Sequence, residues 1–236
     1  MKNPSELTIR LQTGAATTAL VYEGVRHRNS HQVSDTLGTL ILAHGAGAGQ
    51  RSTFMVDFAH ALSDLGLDIV TFNFPYTEQG RKIPDRAPVL EWCYRDVIAA
   101  VRAEVESARR LLCIGGKSIG GRIASHVGAA DASLPVAGLV LLGYPLHPPG
   151  RPLERRDKHL PGIARPMLFV QGARDAFGTA DELTPIVQTL QPAPTLHAVP
   201  QGDHSFKLSR KDPAAQAAVY TAIQRAIVAW VRALAP

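Results

Sequence analysis

Residue type and spacing point most directly to chemistry in Gly116-Lys117-Ser118-Ile119-Gly120-Gly121. The segment follows the apolar run LLCI (residues 111–114) and precedes an apolar stretch containing Ile123, Ala124 and Val127. The pattern G-x-S-x-G sets small residues two positions either side of a serine. A strand-to-helix turn needs them there because backbone packs on backbone, and such a turn lifts the hydroxyl above the sheet. The free amides of the following helix face the same point. Ser118 is therefore the expected nucleophile; a Gly-rich turn carrying a solvated serine is the plainer alternative.

A serine hydroxyl is a poor nucleophile until a base takes its proton, and the chain offers nine histidines. His204, in Gln201-Gly202-Asp203-His204-Ser205-Phe206, follows the last strand-like run and precedes the last helix-like one. That order puts it on a loop at the serine's end of the sheet. His197 falls within a strand and His126 within a helix, so both read as structural. His27 and His31 precede the sheet, and His147 and His159 lie in a long insertion. An imidazole base needs a carboxylate to fix its tautomer, and Asp175, directly after the run MLFV, is expected to supply it. Asp203 adjoins His204, and neighbouring side chains rarely point at one another, so it reads as a loop brace. Asp181 and Glu182 read as first-turn residues of a helix.

Acyl transfer through a serine also needs donors for the developing oxyanion. His44-Gly45-Ala46-Gly47-Ala48-Gly49, after the run LILA, is a loop whose small residues let backbone amides approach a ligand. The Ala46 and Ile119 N–H groups are the expected pair, with His44 bracing the loop rather than acting as a base. The same loop could cradle a phosphate, but it lacks the G-x-x-x-x-G-K-[ST] and G-x-G-x-x-G spacings.

These residues must be held by a particular arrangement of elements. Residues 7–25 contain two alternating segments, LTIRLQT and TTALVYEGV, which predict an antiparallel hairpin at a sheet edge. Strand-length apolar runs follow at residues 40–43, 69–74, 111–114, 136–142, 167–170 and 196–199. Runs without polar alternation suit strands covered on both faces. Helical patterns lie between them, at residues 52–65 with Ser52 as N-cap, at 91–108 with Cys93, Val97, Val101 and Val105 on one face, and at 213–235 with a stripe of Val219, Ile223, Ile227, Trp230 and Leu234. Six strand–helix alternations predict a mostly parallel sheet with right-handed crossovers. No repeat or linker divides the chain, so residues 1–236 read as a single domain.

Two proline- and charge-rich segments, residues 75–88 and 146–166, interrupt that rhythm at carboxyl ends of strands, where open α/β sheets bind ligands. Residues 76–88 hold Arg81, Lys82 and Arg86 against Glu78 and Asp85; residues 146–166 hold Arg151, Arg155, Arg156, Lys158 and Arg165 against Glu154 and Asp157. The two loops thus carry +1 and +3 of the chain's net charge of +5. With Lys117 and Arg122 flanking the serine, this predicts a mouth favouring an anionic substrate, with Arg81, Arg155 and Arg156 as substrate-binding residues.

Composition narrows the function classes. The chain has 236 residues, 45% hydrophobic and 19% charged, enough for a full core without metals or disulfides. No apolar run approaches the ~20 residues of a membrane span, and MKNPSELTIR lacks a signal-peptide core. Two cysteines, Cys93 and Cys113, suit a reducing compartment and form no zinc pattern. The basic residues form no run or motif of a nucleic-acid binder. The expectation is a cytoplasmic protein that uses no metal or organic cofactor and partners neither nucleic acid nor membrane; its oligomeric state stays open.

Together HGAGAG, FNFPYTEQGRKIPDR, GGKSIGGRIAS, GYPLHPPGRPLERRDKHL, QGARDAFGT and GDHSFK resemble the α/β-hydrolase superfamily, from residue 44 to the last helix. More narrowly, they resemble small hydrolases related to testis-expressed hydrolase-like proteins and, more distantly, dienelactone hydrolases. The resemblance implies an α/β-hydrolase fold with a mostly parallel twisted sheet, flanking helices and little or no cap domain. It also implies a triad of Ser118, Asp175 and His204, in the chain order this fold uses. Dienelactone hydrolases use a cysteine nucleophile, so their specific activity does not carry over. The resulting expectation is a serine hydrolase of a small carboxylic ester or thioester. A non-catalytic interaction scaffold of the same fold and a small serine peptidase are the alternatives.

Overall fold

The computed structural model describes residues 3–26, 28–29, 32–33, 36–209 and 212–235; His27 and His31 lie outside them. The amino-terminal segments form the expected hairpin, β1 (Ser5–Arg10) antiparallel to β2 (Ala16–Tyr22). A two-residue ladder, β3 (Arg28–Asn29) with β4 (Gln32–Val33), stands apart. The apolar runs become β5 (Thr39–Ala43), β6 (Asp68–Phe72), β7 (Leu112–Lys117), β8 (Gly138–Leu142), β9 (Met167–Gly172) and β10 (Thr195–Val199). These six are mutually parallel in an eight-stranded sheet ordered β1-β2-β6-β5-β7-β8-β9-β10, with β2 joined antiparallel to β6.

Each central strand is buried throughout because helices cover both faces. Side chains alternate between faces along a strand, so Leu40 and Leu42 of β5 join one core while Ile41 and Ala43 join the other. The first core lies against α1 (Thr53–Asp64) and α6 (Pro213–Ala233), through Phe58, Leu62, Ile223 and Ile227. The second lies against α3 (Ala87–Glu104), α4 (Ile119–Ala130) and α5 (Ala180–Val187), through Tyr94, Val97, Ile123 and Leu183. Among the described residues no helix is long and apolar enough to cross a membrane.

Four expectations need correction. Residues 75–88 are not one open loop: α2 (Pro75–Glu78) forms at once, and α3 begins at Ala87 rather than 91. Pro88 sits in the first turn of α3, where a missing N–H leaves no hydrogen bond unmade. The same helix ends at Glu104, and Glu106–Arg109 tighten into a 3-10 turn before β7. The β8–β9 crossover has no α-helix, so the alternation breaks there. Residues 143–166 run as loop with one 3-10 turn, Leu160–Gly162, anchored by buried Leu160 and Ile163. Finally, Ser52 occupies the N-cap of α1 with extended backbone, yet its hydroxyl caps nothing.

At the amino ends of the strands, away from the serine, one buried carboxylate ties four segments together. Asp68, opening β6, accepts hydrogen bonds from Gly24 N–H (2.7 Å), Thr36 Oγ1 (3.2 Å) and Ser107 Oγ. Ser107 also meets Thr39 Oγ1 of β5 at 2.6 Å. Removing the carboxylate strands three buried donors. Asp68→Ala should therefore lower stability by about 2–4 kcal/mol, read as a reduced urea midpoint at unchanged m-value.

Candidate active site

Ser118 sits between β7 and α4 with φ 53° and ψ −118°, a left-handed backbone that a side-chain-bearing residue seldom adopts. Two glycines make room for it. A Cβ at Gly116 or at Gly120 would lie 2.5 Å from the Ala43 carbonyl oxygen. The turn is pinned from the neighbouring strand, where Leu142 O accepts the Ser118 N–H at 2.8 Å.

His204 and Asp175 come to this serine from loops after β10 and β9. His204 Nδ1 is 2.8 Å from Asp175 Oδ2, and His204 Nε2 is 2.9 Å from Ser118 Oγ. The carboxylate can only accept, so Nδ1 carries the proton and Nε2 is left to accept from the serine hydroxyl. Asp175 is 1% exposed, and its remaining contacts fix its plane: Oδ1 accepts Phe177 N–H at 2.8 Å, and Oδ2 accepts Gln171 Nε2 at 2.9 Å. Asp203 instead accepts the amides of Ser205 (2.7 Å) and Lys207 (2.8 Å), bracing the loop as expected.

Sequence reasoning missed two supports of this chain. Gln171, at the end of β9, also bonds both backbone groups of Tyr144 and the Gly178 carbonyl. A glutamine inside a buried strand run was the available signal. Phe177 lays its ring against His204 with centroids 4.3 Å apart.

The Gly-rich loop after β5 reaches the same place, and Gly45, Ala46, Ser118, Ile119 and His204 line one cavity of about 460 Å³. Ile119 is the first residue of α4, so its N–H has no intrahelical acceptor. Ala46 N–H is oriented through His44. Buried His44 places Nδ1 2.8 Å from the Gly45 carbonyl oxygen, while its Nε2 accepts Phe74 N–H at 3.2 Å. A planar trans peptide points its C=O and N–H in opposite directions. Holding Gly45 O therefore aims Ala46 N–H away from the imidazole. Burial pushes the His44 pKa down, which suits a ring whose Nε2 must stay an acceptor.

Three other histidines have structural partners. His126 pairs with Glu91 (2.8 Å), His159 meets Ser125 Oγ (2.7 Å), and His147 reaches Glu182 (3.2 Å), itself the capping-box residue of α5. Among the described residues, no three His, Cys, Asp or Glu side chains gather as a metal-binding group.

The expected substrate-binding arginines separate. Arg156 lines the cavity. Arg81 lies in a different groove with Trp92 and Pro75, paired to Asp85 at 2.6 Å, because the turn of α2 carries it away from the serine. Arg155 points outward and pairs with Asp157 at 2.6 Å. Arg122, one turn into α4, and Lys117 line the cavity instead. Lys117 is almost wholly buried, and burial pushes its pKa down to about 8 against the opposing pull of Asp175 and Asp203.

Comparison with known proteins agrees with this fold. A family described as "Alpha/beta hydrolase domain" matches residues 36–232. The chain is similar to the structure of an α/β serine hydrolase without lid from Xanthomonas campestris, at 22% identity and TM-score 0.66 over 95% of each chain. It is also similar to an alpha-beta serine hydrolase homologue from Coxiella burnetii, at 17% identity and TM-score 0.72, covering 97% of this chain and 98% of that one. A dienelactone hydrolase from Anabaena variabilis gives 19% identity and TM-score 0.69, covering 95% and 97%. At these identities the likeness is one of fold.

The His44 contacts make a specific expectation. On a serine-hydrolase reading of this site, His44→Ala frees the 45–46 peptide to rotate, so kcat for an ester should fall about 10–100-fold, below the ~10²–10³-fold of deleting an oxyanion donor outright. KM should change little. A matching rise in KM would mean that His44 shapes ground-state binding rather than aiming a donor.

Proposed function

The chain belongs to the alpha/beta hydrolase domain family and has its fold, and from that footing we propose that it is a serine hydrolase of small carboxylic esters or thioesters. One observation carries the reading: an unbroken hydrogen-bonded line from buried Asp175 through His204 to Ser118, ending in an open cavity. In this mechanism Ser118 Oγ attacks the acyl carbon while its proton passes to His204 Nε2. Asp175 keeps the proton on Nδ1 and stabilises the imidazolium that forms. The Ile119 and Ala46 amides receive the negative charge developing on the carbonyl oxygen. His204 then gives its proton to the departing alcohol or thiol. A water molecule, deprotonated by the same nitrogen, attacks the acyl-enzyme; as the bond from the acyl carbon to Ser118 Oγ breaks, His204 returns that proton to Oγ and the carboxylic acid leaves.

The scaffold alternative asks for none of this alignment, whereas a hydrolase asks for all of it. Amide cleavage uses the same groups, so peptides belong in the substrate panel. The motif-level likeness to testis-expressed hydrolase-like proteins is part of this reading and carries no substrate. A cytoplasmic setting is also part of it, supported by free, buried Cys93 and Cys113.

A fluorophosphonate probe should label Ser118 and no other serine, and His204→Ala should abolish the label together with ester, thioester and peptide turnover. Labelling elsewhere, or activity persisting in Ser118→Ala, would overturn the reading. Asp175→Asn should lower kcat by something near the ~10⁴-fold known for loss of a triad acid. Asp203→Asn should cost far less, since it only braces the loop. A reversed order of the two would reassign the acid.

A further inference from the structure

Five buried side-chain polar atoms lack a hydrogen-bond partner among the described residues, and three of them belong to residues lining the cavity above Ser118: Ser52 Oγ, Lys117 Nζ and Arg122 Nε. Buried polar groups are nearly always satisfied in native proteins, so their concentration in one cavity needs a cause. The cavity also takes in Arg156, while no Asp or Glu is among its described lining residues.

The three cations are not equivalent. Lys117 feels the carboxylates of Asp175 and Asp203 and lies 5.6 Å from the Phe206 ring centre, which ties it to the triad side. Arg122 and Arg156 line the same cavity, and the Arg122 charge is felt at Arg156. Burial first, and then the Arg122 charge, push the Arg156 pKa below its ordinary value. Glu154 is the acid that pulls the other way, but it is the ion-pair partner of Arg151 at 3.1 Å. Of the arginines in the charged loops, Arg81, Arg151 and Arg155 have carboxylate partners, and Arg165 donates to the Ala132 and Leu134 carbonyls.

Both cavity arginines are held by their backbones. Arg122 N–H donates to Ser118 O (3.0 Å), and Ser125 Oγ donates to Arg122 O (2.7 Å). Arg156 N–H donates to Leu146 O (2.9 Å), and Tyr144 OH donates to Arg156 O (2.6 Å). Two guanidiniums on one cavity wall, with no carboxylate among its described lining residues, repel each other, and an oxygen anion that accepts hydrogen bonds from both offsets that repulsion.

Resting on the serine-hydrolase reading, we propose that Arg122 and Arg156 form a subsite for a carboxylate or phosphate carried by the substrate itself. The enzyme's substrates are then small anionic esters or thioesters, with the reacting acyl group at Ser118 and the anion on the arginine pair.

Matched aryl esters test this. One series is para-nitrophenyl hexanoate, the adipate half-ester with carboxylate in place of the terminal methyl, and the analogue with phosphonate there. A second pair, para-acetoxybenzoate and para-acetoxybenzamide, moves the anion to the leaving group. An anionic member should exceed its neutral match in kcat/KM by about 10-fold or more, mainly through KM, and the gap should narrow with salt. The carboxylate-to-phosphonate ratio identifies the headgroup. In Arg122→Gln and in Arg156→Gln the anionic-to-neutral ratio should fall towards one, while the lysine variants, charged but without the fork, should keep part of it. Equal kcat/KM in every pair, in protein that still labels at Ser118 and turns over the neutral esters, would overturn the subsite and leave the hydrolase reading standing. A preference surviving both glutamine variants would overturn it equally. Absence of labelling and of all ester turnover would overturn both.

Discussion

The site depends on one strained residue. Ser118 holds a left-handed backbone between β7 and α4, where the chain must reverse from strand to helix within a single position. A non-glycine residue held at such a sparsely populated positive φ costs on the order of 1–3 kcal/mol, and it persists only where the surroundings over-determine it. Here they do. Gly116 and Gly120 let the turn press against the Ala43 carbonyl, β7 lies between β5 and β8, and Leu142 takes the serine's own amide. The strain projects the hydroxyl out of the sheet and leaves the first amides of α4 facing the same space.

The two ends of the sheet divide the work. At the amino ends, Asp68 draws Gly24, Thr36 and Ser107 into one satisfied buried network. At the carboxyl ends the loops gather groups that line the cavity: His204, bonded to Ser118, and the side-chain atoms Ser52 Oγ, Lys117 Nζ and Arg122 Nε, which have no hydrogen-bond partner among the described residues. A parallel sheet brings the loops that follow all six parallel strands to one edge, so such groups can be collected from distant parts of the sequence without disturbing the network that holds the strands.

Legibility in the sequence follows the same division. The elbow was readable because its geometry is local: two glycines and a serine at fixed spacing specify the turn. Asp175 and His204 were readable from chain order, since each directly follows a parallel strand and therefore emerges at the serine's edge. The arginines were not, because a charge count assigns a loop to an edge without saying which side chains turn inwards. Arg155 and Arg156 are adjacent, yet one pairs with Asp157 outside while Tyr144 and Leu146 hold the other over the cavity. Arg81 was misplaced for a related reason: α2, hidden in a proline-rich stretch, carries it into another groove. Gln171 and Phe177 escaped notice because their role lies wholly in what the fold packs beside Asp175 and His204.

Two histidines in the site show why residue type alone does not name a base. His44 and His204 present the same tautomer, with the proton on Nδ1 held by an oxygen and Nε2 accepting. What differs is the donor at Nε2. For His44 it is the Phe74 backbone amide with Thr77 Oγ1 beside it at 3.3 Å, neither of which lines the cavity above Ser118, so the ring serves as a spacer that orients the 45–46 peptide. For His204 it is a serine hydroxyl, whose proton becomes transferable once the oxygen begins to bond to carbon. The oxygen at Nδ1 completes the contrast. The Gly45 carbonyl offers a dipole, which is enough to hold a neutral ring, whereas the Asp175 carboxylate offers a full charge to an imidazolium. Only the second arrangement can accept a proton and return it.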